Sequence, residues 1–226
     1  MNKIYLDNAA TTPLSEEVID AMVEVLKNNF GNPSSTHSLG QEAKILIENV
    51  RRDVANYLKV TPAEIIFTSC GTESNNMIIQ SCVNHLNVER IITSPIEHKC
   101  VAETVLDMKK RNGVEVAYLR PDQKGDVSLS QLENLLKSSD KKTLVTLMHA
   151  NNEIGNLLDI KKVAILCKEN NALFHSDTVQ SMAHMNLDFS DIPIDFASCS
   201  AHKFHGPKGS GFAYISKASG LKGIIT

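Results

Sequence analysis

Hydrophobic positions along this chain follow two periods that take turns. Val18, Met22, Val25 and Leu26 recur at helical spacing behind Ser15, whose hydroxyl suits a helix N-cap, and Glu16 and Glu17 occupy the first turn, where the helix dipole favours acid. Turn chemistry follows in Phe30-Gly-Asn-Pro-Ser-Ser-Thr36, and then a longer helical pattern through Leu39, Ala43, Leu46, Ile47, Val50, Val54 and Leu58. Beyond it, short apolar runs predict seven strands, near 64–68, 90–94, 114–119, 143–149, 172–176, 194–199 and 211–215. Helical patterns near 72–86, 98–112, 128–137 and 159–169 separate most of them. Strands alternating with helices predict an α/β fold in three layers: a mostly parallel seven-stranded sheet with helices on both faces. The stretch from Cys199 to Gly211 leaves no room for a crossover helix, so the last strand is free to run antiparallel. Ligands of such sheets bind beyond the carboxyl ends of the strands, which makes polar residues just after a strand the ones to weigh.

Composition narrows the class. The chain has 226 residues, with 23 Lys and Arg against 26 Asp and Glu, so no cationic excess draws in nucleic acid or an anionic membrane. Its 42% hydrophobic and 22% charged residues exclude a disordered or fibrous protein. No apolar run is long enough to cross a bilayer, and the opening residues lack the apolar core of a signal peptide; a cytoplasmic protein is expected. Cys70, Cys82, Cys100, Cys167 and Cys199 are odd in number and show no CxxC spacing, which argues against a disulfide framework or structural zinc and for a reducing compartment.

Several strand ends carry candidate chemistry. The sixth strand runs into Ser200-Ala-His-Lys-Phe-His-Gly-Pro-Lys-Gly209. Lys203, directly after a buried strand, reads either as a solvated loop lysine or as a desolvated amine of the kind Schiff-base chemistry uses; Lys208, between Pro207 and Gly209, reads as a turn residue. Asp177 ends the fifth strand, either capping the next segment or holding a proton on a heteroaromatic nitrogen. Thr68-Ser-Cys-Gly-Thr-Glu-Ser-Asn-Asn76 opens a helix after the first strand, as an ordinary N-cap or a phosphate cradle. Glu97-His98-Lys99 and Asn151-Asn-Glu-Ile-Gly155 follow the second and fourth strands, and a lone His is by itself more often structural. The glycines of Gly206-Pro-Lys-Gly-Ser-Gly211 do not spell a P-loop and precede a strand, and His202 and His205 have no carboxylate or thiolate at zinc-ligand spacing.

Taken in order, Tyr5-Leu-Asp-Asn-Ala-Ala-Thr-Thr-Pro13, Gly31-Asn-Pro-Ser-Ser35, Thr72-Glu-Ser-Asn-Asn76, Glu97-His-Lys99, Asn151-Asn-Glu-Ile-Gly155, Asp177-Thr-Val-Gln180 and His202-Lys-Phe-His-Gly-Pro-Lys-Gly209 closely resemble the cysteine desulfurases of the NifS/IscS type, in the class V aminotransferase group of fold-type I pyridoxal-phosphate enzymes. The resemblance extends to about Ile215. It implies pyridoxal 5'-phosphate as cofactor, with Lys203 as its covalent attachment and the group that moves the substrate's Cα proton. It further implies Asp177 on the ring nitrogen and His98 over the ring as a candidate acid or base. Gly71, Thr72, Ser200 and His202 would hold the phosphate, and Asn152 and Gln180 would lie on the O3' side. L-Cysteine would be the substrate, an iron–sulfur scaffold or tRNA-thiolation protein the sulfur acceptor, and a homodimer the assembly.

Residues 1–14 would form an arm belonging to the family's smaller domain and 15–226 the cofactor-binding large domain, with the C-terminal part of the small domain absent. The family's nucleophilic cysteine, its carboxylate-binding arginine and the threonine that reaches the neighbouring subunit's phosphate all lie after the point where this sequence stops. None of the five cysteines fits the nucleophile's role, and each reads as a core or near-core residue. Cys70-Gly71 stands where many relatives have Gly-Ala, and Ser176 where valine is common. The expectation is a cofactor-binding unit that cannot complete sulfur transfer alone. The alternatives are another class V enzyme, such as a selenocysteine lyase or an aminotransferase, and a non-catalytic unit serving dimerisation or partner binding. An NAD-binding oxidoreductase is disfavoured because no GxGxxG follows the first strand.

Overall fold

The computed structural model describes residues 4–221; the first three and last five positions of the expected arm and domain lie outside the described residues. Two helices come first, α1 (Glu16–Asn28) and α2 (Ser38–Leu58). Then β1 (Ile65–Thr68), α3 (Gly71–Leu86), β2 (Arg90–Thr93), α4 (Lys99–Asn112) and β3 (Glu115–Tyr118) follow. The chain continues through α5 (Leu129–Lys137), β4 (Thr143–Thr146), α6 (Ile160–Glu169), β5 (Leu173–Asp177), β6 (Phe196–Ser200) and β7 (Gly211–Ile215). The sheet order is β1-β7-β6-β5-β4-β2-β3. Only β7 runs against its neighbours, pairing antiparallel with both β6 and β1. The carboxyl ends of the other six strands therefore share one edge of the sheet.

Side chains alternate between two apolar layers. On one side, Ile78, Cys82, Val101 and Val105 of α3 and α4 pack on Ile91, Leu144 and Phe196. On the other, Leu58, Leu132, Val163 and Cys167 of α2, α5 and α6 pack on Ile92, Val145, Phe174 and Ala197. Burial on both faces is why these strands read as continuous apolar runs. The helices begin where polar caps precede the apolar pattern: the Ser15, Ser128 and Asp159 side chains each accept a backbone N–H of their helix's first turn.

Among the described residues the apolar stripe of α1 covers nothing: no residue of that helix is buried, and Leu26 is 77% exposed. The first half of α2 behaves alike, with Leu39, Ile47 and Val50 exposed and only its small residues and C-terminal turn inside. Periodicity reports that a helix has an apolar face; it does not report whether the same chain covers it.

Asp195, just before β6, accepts the Phe174 N–H at 2.8 Å, and burial pushes its carboxyl up to about 6. A folded value above the unfolded one means the ionised group favours the unfolded chain, so its stability contribution is full below about pH 4 and is lost as pH rises to about 6. Asp195→Asn keeps an acceptor for Phe174. The variant is expected to gain stability over the parent, on the order of 1 kcal/mol at neutral pH and less at pH 4, as read from urea unfolding at both.

Candidate active site

The shared strand edge opens on a cavity of about 560 Å³. Gly71, Thr72, His98, Asn152, Asp177, Gln180, Ser200, His202 and Lys203 all line it, so the structure brings together every residue the resemblance singles out. Lys208 is exposed and does not line this cavity.

Asp177 ends β5 as a buried carboxylate, and its capping reading is realised. Its Oδ1 caps the following turn through the Val179 N–H at 3.0 Å, while Oδ2 accepts from Asn75 Nδ2 at 2.8 Å. Burial pushes its carboxyl up, and the Val179 and Asn75 donors pull it back. Among the described residues no Lys or Arg pairs with it. Neighbouring hydroxyls lock the strand ends: Thr178 Oγ1 donates to the Ser198 carbonyl at 2.7 Å and Ser176 Oγ to the Leu147 carbonyl at 2.8 Å. The polar residue at 176 is thus fully satisfied.

Lys203 closes a single helical turn, Ala201–Lys203, immediately after β6. Burial lowers its amine below the ordinary lysine value, with Asp177 and Asp7 acting the other way. The amine donates to the carbonyls of Ala9, at 2.5 Å, and Ala10, at 3.0 Å. Those carbonyls belong to an N-terminal strap that crosses the lysine loop. Thr12 N donates to the His202 carbonyl at 2.9 Å, His205 N to Thr12 Oγ1 at 2.7 Å, and Gln180 Nε2 to the Ala9 carbonyl at 2.8 Å. His205 holds a left-handed φ of 65°, uncommon for a side chain of its size, and the Thr12 contact pins its amide there.

The first turn of α3 faces the same cavity. Gly71 and Thr72 offer backbone N–H groups that no described residue accepts, at the positive end of a 16-residue helix. A Cβ at Gly71 would collide with the Val179 side chain, so only glycine allows this close packing. Ser200 Oγ is buried and unpartnered on the cavity wall, and burial together with Lys203 and Lys208 lowers the His202 imidazole. Free N–H groups, an orphaned hydroxyl, a buried carboxylate lacking a cation and a half-buried amine together fit an anionic phosphate joined to a protonatable ring and an electrophilic carbon.

Four of the five cysteines are core or near-core, and Cys70 is not. Cys82, Cys167 and Cys199 are core residues, their thiols pushed up by burial. Cys100 packs against the apolar layer under α3 and α4 and also lines the cavity, whereas Cys70 lines the cavity alone; they stand just inside the start of α4 and just before the start of α3 at the open strand edge. Asn75, Met148 and the strap residues Asp7, Ala9 and Ala10 also line it. Asn75 falls within the polar stretch that opens α3, and a polar side chain kept in the second turn of a helix packed on the sheet is its only sequence signal.

The sequence profile of the class-V aminotransferases matches residues 4–222. The cysteine desulfurase IscS of Dictyoglomus turgidum is 42% identical over 225 residues, 99% of this chain and 56% of that protein. A solved NifS-like protein superposes with a TM-score of 0.91 at 40% identity, covering 96% of this chain and 60% of its own. A structure described as SspA in complex with cysteine gives 0.88 at 35%, covering 94% and 61%. The chain spans about half the length of the curated relatives it matches. Its parallel sheet, its strand-end cavity and the match along nearly its whole length make this chain a member of the pyridoxal-phosphate-dependent class-V aminotransferase family.

Proposed function

We propose that these residues form the cofactor-binding part of a pyridoxal-phosphate-dependent cysteine desulfurase, one that releases L-alanine from L-cysteine and passes the sulfur on as a persulfide. The observation that carries this reading is the meeting of a half-buried lysine amine and a buried, unpaired carboxylate in one cavity. Support for cysteine as substrate comes from the cysteine complex of the SspA structure and from the desulfurase names of the curated relatives.

In this reading Gly71, Thr72, Ser200 and His202 would hold the phosphate, Asp177 the ring nitrogen, and Asn152 and Gln180 the ring's oxygen side, with His98 against the ring. Bound there, pyridoxal phosphate supplies an electron sink for charge left on a substrate carbon. Lys203 would hold the cofactor covalently until the substrate's amine displaces it, and its freed Nζ would then move the Cα proton, a task suited to an amine whose proton affinity burial has lowered. Asp177 keeps the ring nitrogen protonated, and that cation in turn gives the buried carboxylate its missing partner. The strap over residues 9–12 orients the Lys203 amine.

Sulfur capture needs a nucleophilic thiol, and four of the chain's five thiols are poorly suited to it. Three are buried in the core, and burial raises the Cys100 thiol, which reduces its thiolate fraction. Following the family resemblance, the capturing cysteine is assigned outside these 226 residues, and the sulfur acceptor to an iron–sulfur scaffold or a tRNA-thiolation protein. Residues up to 14 act as the arm and residues from 15 onward as the large domain. The exposed apolar faces of α1 and α2 support burial in a homodimer or against the smaller domain. Five unpaired cysteines, with no described helix able to cross a membrane, suit the cytoplasm.

Pyridoxal phosphate added to the purified chain is expected to give a visible absorption band that borohydride fixes on Lys203 and that Lys203→Ala abolishes; a band that survives in the variant overturns the assignment. Asp177→Ala is expected to weaken cofactor binding at least about tenfold, since it removes the ring nitrogen's charged partner. With L-cysteine and cofactor the chain alone is expected to release no alanine with accompanying persulfide, and sustained turnover would place the capturing thiol among its own cysteines.

A further inference from the structure

Hydrogen bonds run without a break from the buried carboxylate of this cavity to its histidine. The Asn75 amide, 1% exposed, donates one N–H to Asp177 Oδ2 at 2.8 Å and the other to the Cys100 sulfur at 3.3 Å. Cys100 Sγ in turn lies 3.0 Å from His98 Nδ1.

The directions of these bonds are fixed. Facing a carboxylate, the amide must present its NH₂ end, which spends both donors on Asp177 and Cys100 and leaves Oδ1 without a partner. His98 is the N-cap of α4, and its Nδ1 accepts the Cys100 backbone N–H at 3.2 Å. A ring nitrogen that accepts an N–H carries no proton, so the thiol hydrogen points from sulfur to Nδ1. In the neutral ring the single proton then sits on Nε2, which meets no protein partner among the described residues.

We propose that Cys100 is a positioning residue: its thiol, backed by Asn75, holds His98 as the Nε2–H tautomer, so that neutral His98 offers the cavity a proton donor and not an acceptor. The assignment rests on the reading of this cavity given above, and it divides the proton work. Lys203 takes the substrate's proton, and His98 delivers or shields one. It also gives the Asp177 carboxylate a route to the histidine through two neutral side chains.

Nitrogen-15 NMR of histidine-labelled chain without cofactor, at a pH where the ring is neutral, tests it, with His98 assigned by the signals lost in His98→Ala. A pyridine-type Nδ1 and a pyrrole-type Nε2 are expected. Cys100→Ser, which keeps a donor, is expected to preserve that pattern, and Cys100→Ala to lower the ratio of the Nε2–H to the Nδ1–H form by roughly three- to tenfold, the worth of one hydrogen bond. An Nδ1–H ring in the parent chain, or an unchanged ratio in Cys100→Ala, overturns the proposal. Should Cys100→Ala not fold, the infrared S–H stretch assigned by its loss in Cys100→Ser decides. It is expected to shift to higher frequency in His98→Ala, and a band that stays in place overturns the thiol's role. None of these readings uses cofactor or turnover, so the tautomer and the Lys203 absorption test fail independently.

Discussion

Asp177 ends the fifth strand with its carboxylate out of water, and a charge buried without a partner costs several kcal/mol unless donors surround it. Much of the neighbouring architecture answers that cost. The Val179 amide and the Asn75 side chain donate to it, and the hydroxyls of Thr178 and Ser176 bind carbonyls of adjoining strands, so the ends carrying the carboxylate hold their places. These donors offset the burial only in part, since the carboxyl remains above its ordinary value. A protonated ring nitrogen would complete the compensation, which makes the site's affinity for a cationic heterocycle a consequence of how β5 ends.

The sheet decides what else reaches that carboxylate. With only β7 reversed, β1, β2, β4, β5 and β6 deliver Thr72, His98, Asn152, Asp177 and Lys203 to one edge from five connections. Several of those ends are tied together: Glu97 accepts the Met148 N–H at 2.9 Å, Asn75 donates to Asp177 at 2.8 Å, and the N-terminal strap binds the lysine loop through Thr12. Spreading the site over many strand ends lets each side chain be placed by rigid backbone, which serves a site that must hold a flat ring from its faces and its edge together.

The layering, the strands and the strand-end residues were legible because they depend on local signals: a switch from period two to period 3.6, caps before apolar runs, and polar clusters after strands. Asp177 and Lys203 needed no more than their positions after apolar runs to stand out, and the family resemblance supplied their roles. The strap contact on Lys203 was not legible, since Ala9 and the lysine are 194 residues apart and meet through main-chain carbonyls that carry no residue signature. The exposure of α1 was hidden for the opposite reason. Its stripe is a true apolar face, and the information about what covers it lies in no residue of the helix. Cys100 is near-core, as its small size and weak polarity suggest, but the same properties conceal that it also forms part of the cavity wall.

Cys100 also shows why hydrogen-bond direction matters more at this site than distance. His98 lies among groups that ionise, and a histidine free to exchange tautomers would offer the cavity a donor and an acceptor by turns. The backbone N–H at the start of α4 already biases Nδ1 toward accepting, as an N-cap does for any acceptor side chain. The thiol adds a second donor from the same residue, and Asn75 prevents the sulfur from turning away, because its other hydrogen is committed to Asp177. The helix start, the cysteine and the buried carboxylate thus constrain one imidazole from three directions. An acid and a base can work side by side in one cavity only if each is kept from taking the other's part.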